Sequence, residues 1–321
     1  MVTGGFNPAT LSTVEVFPDP YYNRASGCYP SRHASGHAIG PADLPVSRYL
    51  HVTFLTAEPS SVIATCGGLV GDINSAEIIS ASCLVPDKAN QGWDESMMGN
   101  LTIPREASAV ASLMSVGVYV IGGDTENSKR TSDFQPAGSM QWREGPTLPE
   151  DMDYGPCAVT ITTTSFLVIQ GWNIHEFNAE FNPTSIEGWR EAGRWPSLKR
   201  SRTYWPGCAK LGQKVIIAGG YYNQGPLRST EVLDLDSREI TAGGDMASPR
   251  YWFHLATIRR EGEEKVFAVG GNDGSAHDSY LNTAEEWVAE NATWRNAGDF
   301  LGRSRGHFGA VTVPEDLICQ A

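Results

Sequence analysis

The chain has 321 residues, and its 37 acidic against 24 basic side chains leave a net charge of −13. That balance argues against a general nucleic-acid binder, which needs a basic face. No run of about 18 apolar residues exists to span a membrane, helical periodicity is nearly absent, and the 34 Gly and 19 Pro suit short strands with tight turns.

In chain order, residues 1–5 (MVTGG) run an apolar stretch into a glycine pair. The same shape returns at 62–68 (VIATCGG), 118–123 (VYVIGG), 166–171 (FLVIQG, with Gln170 for one glycine), 215–220 (VIIAGG) and 266–271 (VFAVGG). These six copies recur at about 50 residues after a longer first gap, a period long enough for one supersecondary unit each. Upstream of the glycine stretch lies an alternating apolar run, at 108–114, 157–161, 254–258 and 309–313. Downstream lies a third run, at 12–17, 75–83, 229–236 and 282–288. A fourth carries tryptophan before a turn, at Trp93, 141–149, 188–196 and 293–301, while 239–246 (EITAGGDM) has lost it. Four short strands per unit predict one antiparallel sheet per unit.

This combination resembles the kelch family, in which each repeat is one four-stranded blade of a β-propeller. The markers are the glycine pair ending the second strand and the tryptophan on the fourth, and the resemblance covers essentially the whole chain. It implies an all-β, six-bladed propeller occupying residues 1–321 as a single domain. Blades cannot bury both faces alone, so the ring must close. The chain starts at a glycine-pair strand and ends on an upstream-type strand, 307–313, which predicts a first blade built from both termini. Residues 18–47, rich in Pro, Gly and Ser, read as a long loop insertion around a weak fourth strand near Cys28, either functional or a tolerated surface insertion.

Six cysteines permit fifteen connectivities. Repeat logic pairs Cys66 with Cys83 on neighbouring strands of one blade and Cys157 with Cys208 on innermost strands of successive blades, leaving Cys28 and Cys319, in segments near the ring closure, for a bridge that would lock the seam. The alternative is six buried thiols in a cytoplasmic protein. Sequons at Asn100 and Asn291, and a CGG…C arrangement resembling the secreted invertebrate branch of the family, point to an extracellular location. Residues 1–10 lack a signal peptide's basic start and apolar stretch, so a secreted protein would be a trimmed form.

Before the innermost strands stand Arg48 with His51, Arg105, Arg202, Arg250 with His254, and Arg303 and Arg305 with His307. In a propeller these segments converge on one end of the central axis. Two readings remain open: an arginine-lined mouth for an anionic ligand, or arginines that bond carbonyls and carboxylates of neighbouring blades and hold the ring together. Tyr204, Trp205, Tyr251 and Trp252, with Tyr21, Tyr22, Tyr29, Trp172, Tyr221 and Tyr222, are either contact anchors or wedge packing. Residues 302–306 match G-x-S-x-G, but that elbow needs a strand-to-helix turn and here leads into a strand. His33 and His37 in a Gly/Ser/Pro loop read as solvated, and Asp234 with Asp236 is a calcium-loop fragment lacking its other ligands.

Two function classes follow. One is a non-catalytic scaffold without cofactor or metal, presenting loops and a channel mouth to a protein or anionic small molecule. The other is an enzyme at that mouth, resembling either copper-radical oxidases, which need a Tyr–Cys crosslink and two histidines, or sugar mutarotases, with Arg250 or Arg48 beside a carboxylate such as Asp153. The reading favours the scaffold; its oligomeric state is open.

Overall fold

Each glycine-pair stretch forms the second strand of an antiparallel sheet, with the upstream run beside it and the third run on its other side. The computed structural model describes residues 1–7, 9–16, 38–39, 43–59, 61–71, 77–87, 92–152, 154–189, 195–223, 225–260, 263–276 and 278–313. In spatial order from the innermost strand, the first sheet is Gly309–Ala310, Val2–Thr3, Val14–Val16 and Ala38–Ile39. The second is Val52–Leu55, Ile63–Cys66, Cys83–Asp87 and Gly92–Asp94. Next come Ala109–Leu113, Gly117–Ile121, Ser132–Pro136 and Arg143–Glu144, then Cys157–Thr160, Ser165–Gln170 and Asn173–Asn178. The last two are Gly207–Leu211, Lys214–Ala218, Thr230–Asp234 and Ile240–Gly243, and His254–Arg260, Glu263–Val269, Thr283–Val288 and Thr293–Asp299.

Burial explains the pattern. Gly117–Ile121 is buried at every position, as a strand covered on both faces must be, whereas Ala109–Leu113 alternates strictly. Apolar clusters lie between neighbouring sheets. Tyr119 and Phe134 of the third sheet meet Phe166 and Phe177 of the fourth, with ring centroids from Tyr119 of 4.6, 5.2 and 5.4 Å. Trp142 stands edge-on to Phe54 of the sheet before it, at 5.8 Å. The glycine pairs answer to a close approach: Gly219 has φ +60, and a Cβ there would lie 2.5 Å from the carbonyl oxygen of Arg250 in the next entry loop.

The first and last described strands pair with each other. Val2 and Thr3 pair antiparallel with Ala310 and Gly309, and Val2, Val269, Ala284, Leu301 and Phe308 form a cluster joining the last sheet to the first. Met1, Leu44 and Leu84 join the first to the second. Among the described residues the only helices are two short 3₁₀ turns, Ala179–Phe181 and Ile186–Gly188. An all-β chain of several four-stranded antiparallel sheets is consistent with a β-propeller. No helix of the described residues is long and apolar enough to cross a membrane.

Two local expectations shift. Residues 75–83 were read as a third strand, but Ile78–Ile79 pairs with Leu69–Val70, itself paired with Arg48–Tyr49. That side ribbon takes up the isoleucines, so the third strand begins at Cys83, opposite Cys66. The outer strand of the first sheet is Ala38–Ile39, later than the position expected near Cys28, which lies outside the described residues.

Candidate functional site

Five arginines that precede innermost strands make one repeated set of bonds. In Arg250, Nη1 donates to the carbonyl of Gly270 (2.8 Å) and of Thr283 (3.1 Å), and Nη2 to the Thr283 hydroxyl (3.0 Å). Arg48 does the same with Gly67 and Ser82, Arg105 with Gly122 and Thr131, Arg202 with Gly219 and Ser229, and Arg305 with Gly4 and Thr13. All five are 0–1% exposed. A carboxylate two residues beyond the hydroxyl completes four of them: Asp133 for Arg105, Glu231 for Arg202, Glu285 for Arg250 and Glu15 for Arg305. Leu84 takes that place opposite Arg48, whose pKa burial lowers to about 10. Each guanidinium thereby ties an entry loop to the glycine turn and third strand of its own sheet.

The backbone of the same arginines ties that loop to the sheet before. The N–H of Gly5 donates to the Arg48 carbonyl (2.9 Å), Gly68 to Arg105 (2.7 Å), Gly171 to Arg202 (3.1 Å), Gly220 to Arg250 (2.8 Å) and Gly271 to Arg305 (2.9 Å). In the remaining copy Met152 stands in for arginine, accepting from Gly123 at 3.0 Å. There the polarity is reversed, with Glu150 in the loop bonded to His175 on the third strand at 2.8 Å.

Just beyond lies a second repeated feature. Six of the ten described non-glycine residues with positive φ are Leu50, Ala107, Tyr154, Trp205, Trp252 and His307, at φ 47 to 57, one from each repeat. The left-handed region costs a side-chain-bearing residue about 1–2 kcal/mol. Backbone bonds between neighbours offset that: Ala107 N–H donates to Leu50 (2.9 Å), Trp205 to Tyr154 (3.1 Å), His307 to Trp252 (3.0 Å) and Leu50 to His307 (2.8 Å). The last of these joins the loops leading into Val52–Leu55 of the second sheet and Gly309–Ala310 of the first, from opposite ends of the described chain. Behind this rim is a cavity of about 160 Å³, lined by the starts of the innermost strands, among them His51, Ser108, Cys157, Cys208, His254 and His307.

Aromatic side chains cover the rim. Trp252 lies 3.6 Å from His307 and 5.2 Å from Trp205 between centroids, and Tyr251 lies 4.2 Å from Trp252 and 5.3 Å from Tyr221. Tyr204 is edge-on to Tyr154 at 4.7 Å, and Trp172 to Tyr222 at 6.0 Å. On the other side Phe6 bridges Tyr49 (5.3 Å) and Tyr280 (5.9 Å). Most of these are half-buried; Tyr154 and Trp172 are 38% and 44% exposed. The rings therefore pack against each other and still present faces outward.

The rim electrostatics are those of carboxylates, phenols and neutral imidazoles. Burial, the Arg48 charge and other contacts hold His51 at about 3, burial holds His254 at about 4, and burial lowers His307 well below its usual range. At His51, Nε2 accepts from the Gly309 N–H (3.2 Å), which places the ring proton on Nδ1. Burial, with Asp124 and Glu77 nearby, raises Glu106 to about 7. Tyr49 donates its hydroxyl to Glu77 at 2.9 Å, and burial followed by that bond raises its pKa. Burial, with Tyr251 and Asp278, takes Tyr280 to about 12.

Of the other candidates, Arg303 is exposed, as are Asn100 and Asn291. Disulfides join Cys66 to Cys83 and Cys157 to Cys208, with Cα separations of 4.1 and 5.9 Å. Both are compatible with an oxidising compartment. Cys28, Cys319, His33, His37, Tyr21, Tyr22, Tyr29 and Asp153 lie outside the described residues. Residues 302–306 lead into Gly309–Ala310, a strand. The left-handed rim and the Glu77–Glu106–Asp124 group escaped sequence reasoning. Their signal is a left-handed residue two positions after arginine in four copies and three in the Arg202 copy, a spacing too irregular to read without the backbone.

No family model matches the chain. It is similar to Kelch repeat-containing protein kel-10 of Caenorhabditis elegans, 24% identical over 147 residues, which is 46% of this chain and 24% of that protein. It is also similar to an Influenza virus NS1A-binding protein homolog of Xenopus laevis, 35% identical over 72 residues, 22% of this chain and 11% of the relative. The chain thus spans a quarter or less of the length of these relatives. Together with the all-β architecture, these partial similarities support a kelch-repeat family.

Proposed function

We propose that the chain is a six-bladed kelch-type propeller, closed through its terminal strands, that works as a non-catalytic scaffold binding a partner protein at the aromatic rim. The observation that carries this is the set of six left-handed residues, one per repeat, that hold Tyr154, Trp205, Trp252 and His307 in a fixed backbone frame. Preorganised, half-exposed aromatic groups lose little entropy on binding and are the usual anchors of protein contacts. The kelch-repeat similarity supports a protein partner. Recognition is assigned to the rim instead of the five arginines, because an anion reaching their guanidiniums would displace carbonyl bonds in a site 0–1% exposed. The two disulfides favour an extracellular setting, with Asn100 and Asn291 as exposed glycan acceptors.

Panning a random peptide library on the immobilised chain tests this. Selected peptides should lose binding on Tyr154→Ala or Trp172→Ala and keep it on Asp236→Asn, at an exposed turn between the third and fourth strands of the fifth sheet. Binders indifferent to the rim substitutions would contradict it.

A further inference from the structure

The rim is chemically one-sided. Tyr49 and Glu106 sit on adjacent entry loops, since Leu50, next to Tyr49, accepts the N–H of Ala107, next to Glu106. Asp124 joins them through its N–H, bonded to the Glu106 carbonyl at 3.0 Å, and Glu77 through the Tyr49 hydroxyl at 2.9 Å. Beside these three carboxylates stands the Phe6 ring flanked by Tyr49 and Tyr280, and Tyr49 continues to His307 at 5.8 Å. Of the cations on the loops nearby, Lys129 is paired with Glu126 and Asp151, Arg130 with Asp151, and Arg48 and Arg305 are buried in their own sheets.

We propose that this sector of the rim takes a cationic segment of a partner protein, with a lysine or arginine side chain against the rings of Phe6, Tyr49 and Tyr280 and its charge facing Glu77, Glu106 and Asp124. Ring faces attract cations through their quadrupole, and the neighbouring carboxylates supply the opposite charge. Charge complementarity selects this occupant over an acidic one, which would meet three carboxylates and phenols beside an Arg130 already paired with Asp151. Burial first, and then the charges of Asp124 and Glu77, raise the Glu106 pKa, and a bound cation favours the ionised carboxylate against both. The chain's charge of −13 steers a basic partner towards it at long range, but the rim pairs ring faces with carboxylates and so distinguishes a seat from general attraction.

This inference rests on the binding-module reading, and the test separates the two. Two amidated octapeptides are titrated calorimetrically into the purified chain at physiological salt, one alternating glycine with lysine and arginine, the other glycine with aspartate and glutamate. The basic peptide should bind, and binding should weaken about tenfold in the Glu106→Gln/Asp124→Asn variant and in Tyr280→Leu. It should be unchanged in Asp236→Asn/Glu239→Gln, which removes the same charge away from the rim. Equal weakening in both double variants, tighter binding of the acidic peptide, or no binding of the basic one would overturn the proposal. If library-selected peptides are acidic yet still depend on Tyr154 and Trp172, the cationic assignment fails and the binding module stands; if they ignore the rim, both fail. Thermal unfolding of each variant confirms that the fold is intact.

Discussion

Arg105 illustrates how a charged residue becomes a structural one. Its Nε lies 2.5 Å from an Asp133 carboxylate oxygen, and both side chains are essentially unexposed. Arg105→Met leaves Asp133 buried without its countercharge, while the carbonyls of Gly122 and Thr131 keep the Ser108 hydroxyl and the Gly122 N–H as donors, so the loss falls mainly on the carboxylate. It should cost about 3–5 kcal/mol of stability in urea unfolding, and adding Asp133→Leu should recover much of the loss. Recovery would not occur if the arginine acted mainly on a ligand. Glu106 makes the opposite case. Its carboxyl holds a proton more tightly in the folded chain, at about 7, than its ordinary 4.5, so its contribution to stability declines as pH rises from about 4.5 through 7. Glu106→Gln should therefore gain on the parent chain in thermal melts as pH rises, the gap levelling off above pH 8 and closing towards pH 4.5. A gap that is constant with pH would refute the burial and carboxylate proximity assigned to Glu106.

At the level of strands, the sequence made the glycine-pair stretches legible because a buried strand ending in a close approach leaves two marks at once, continuous apolar residues and glycine. The fourth strands were less legible. Trp189 signals one and packs its ring on Phe166 and Phe177, yet its strand pairing among the described residues is a single bridge to Phe177. Residues 75–83 misled because Ile78 and Ile79 carry strand propensity into a side ribbon, a tertiary choice that local pattern does not encode. Arginine spacing located the repeated loops before the innermost strands, but burial, which decides whether a guanidinium meets ligand or carbonyl, is invisible in sequence. The cross-links act at this scale too. Cys157–Cys208 staples neighbouring innermost strands and closes a span of 51 residues, whereas Cys66–Cys83 closes 17 within one sheet. On the loop-entropy account, replacing both cysteines of the first pair by serine should cost about 4 kcal/mol and of the second about 3 kcal/mol in chemical denaturation. A larger loss from the shorter loop would show that strain or packing dominates instead.

Across the whole molecule, the proposed ring depends on the pairing of Val2–Thr3 with Gly309–Ala310. A stack of sheets left open would expose the edge of Val2–Thr3 and the apolar faces of Val2, Val269 and Phe308. It would also release the link from Leu50 to His307, and with it the left-handed geometry that aims the rim aromatics. Residue-resolved amide hydrogen exchange reads that seam directly. The account predicts that the Leu50 amide, which donates to His307 across the seam, is protected to the same order as the Ala107 and Trp205 amides, which hold equivalent places away from the chain ends. Exchange at Leu50 about a hundredfold or more faster than at those two would show that the ring does not close and that the rim is not one surface.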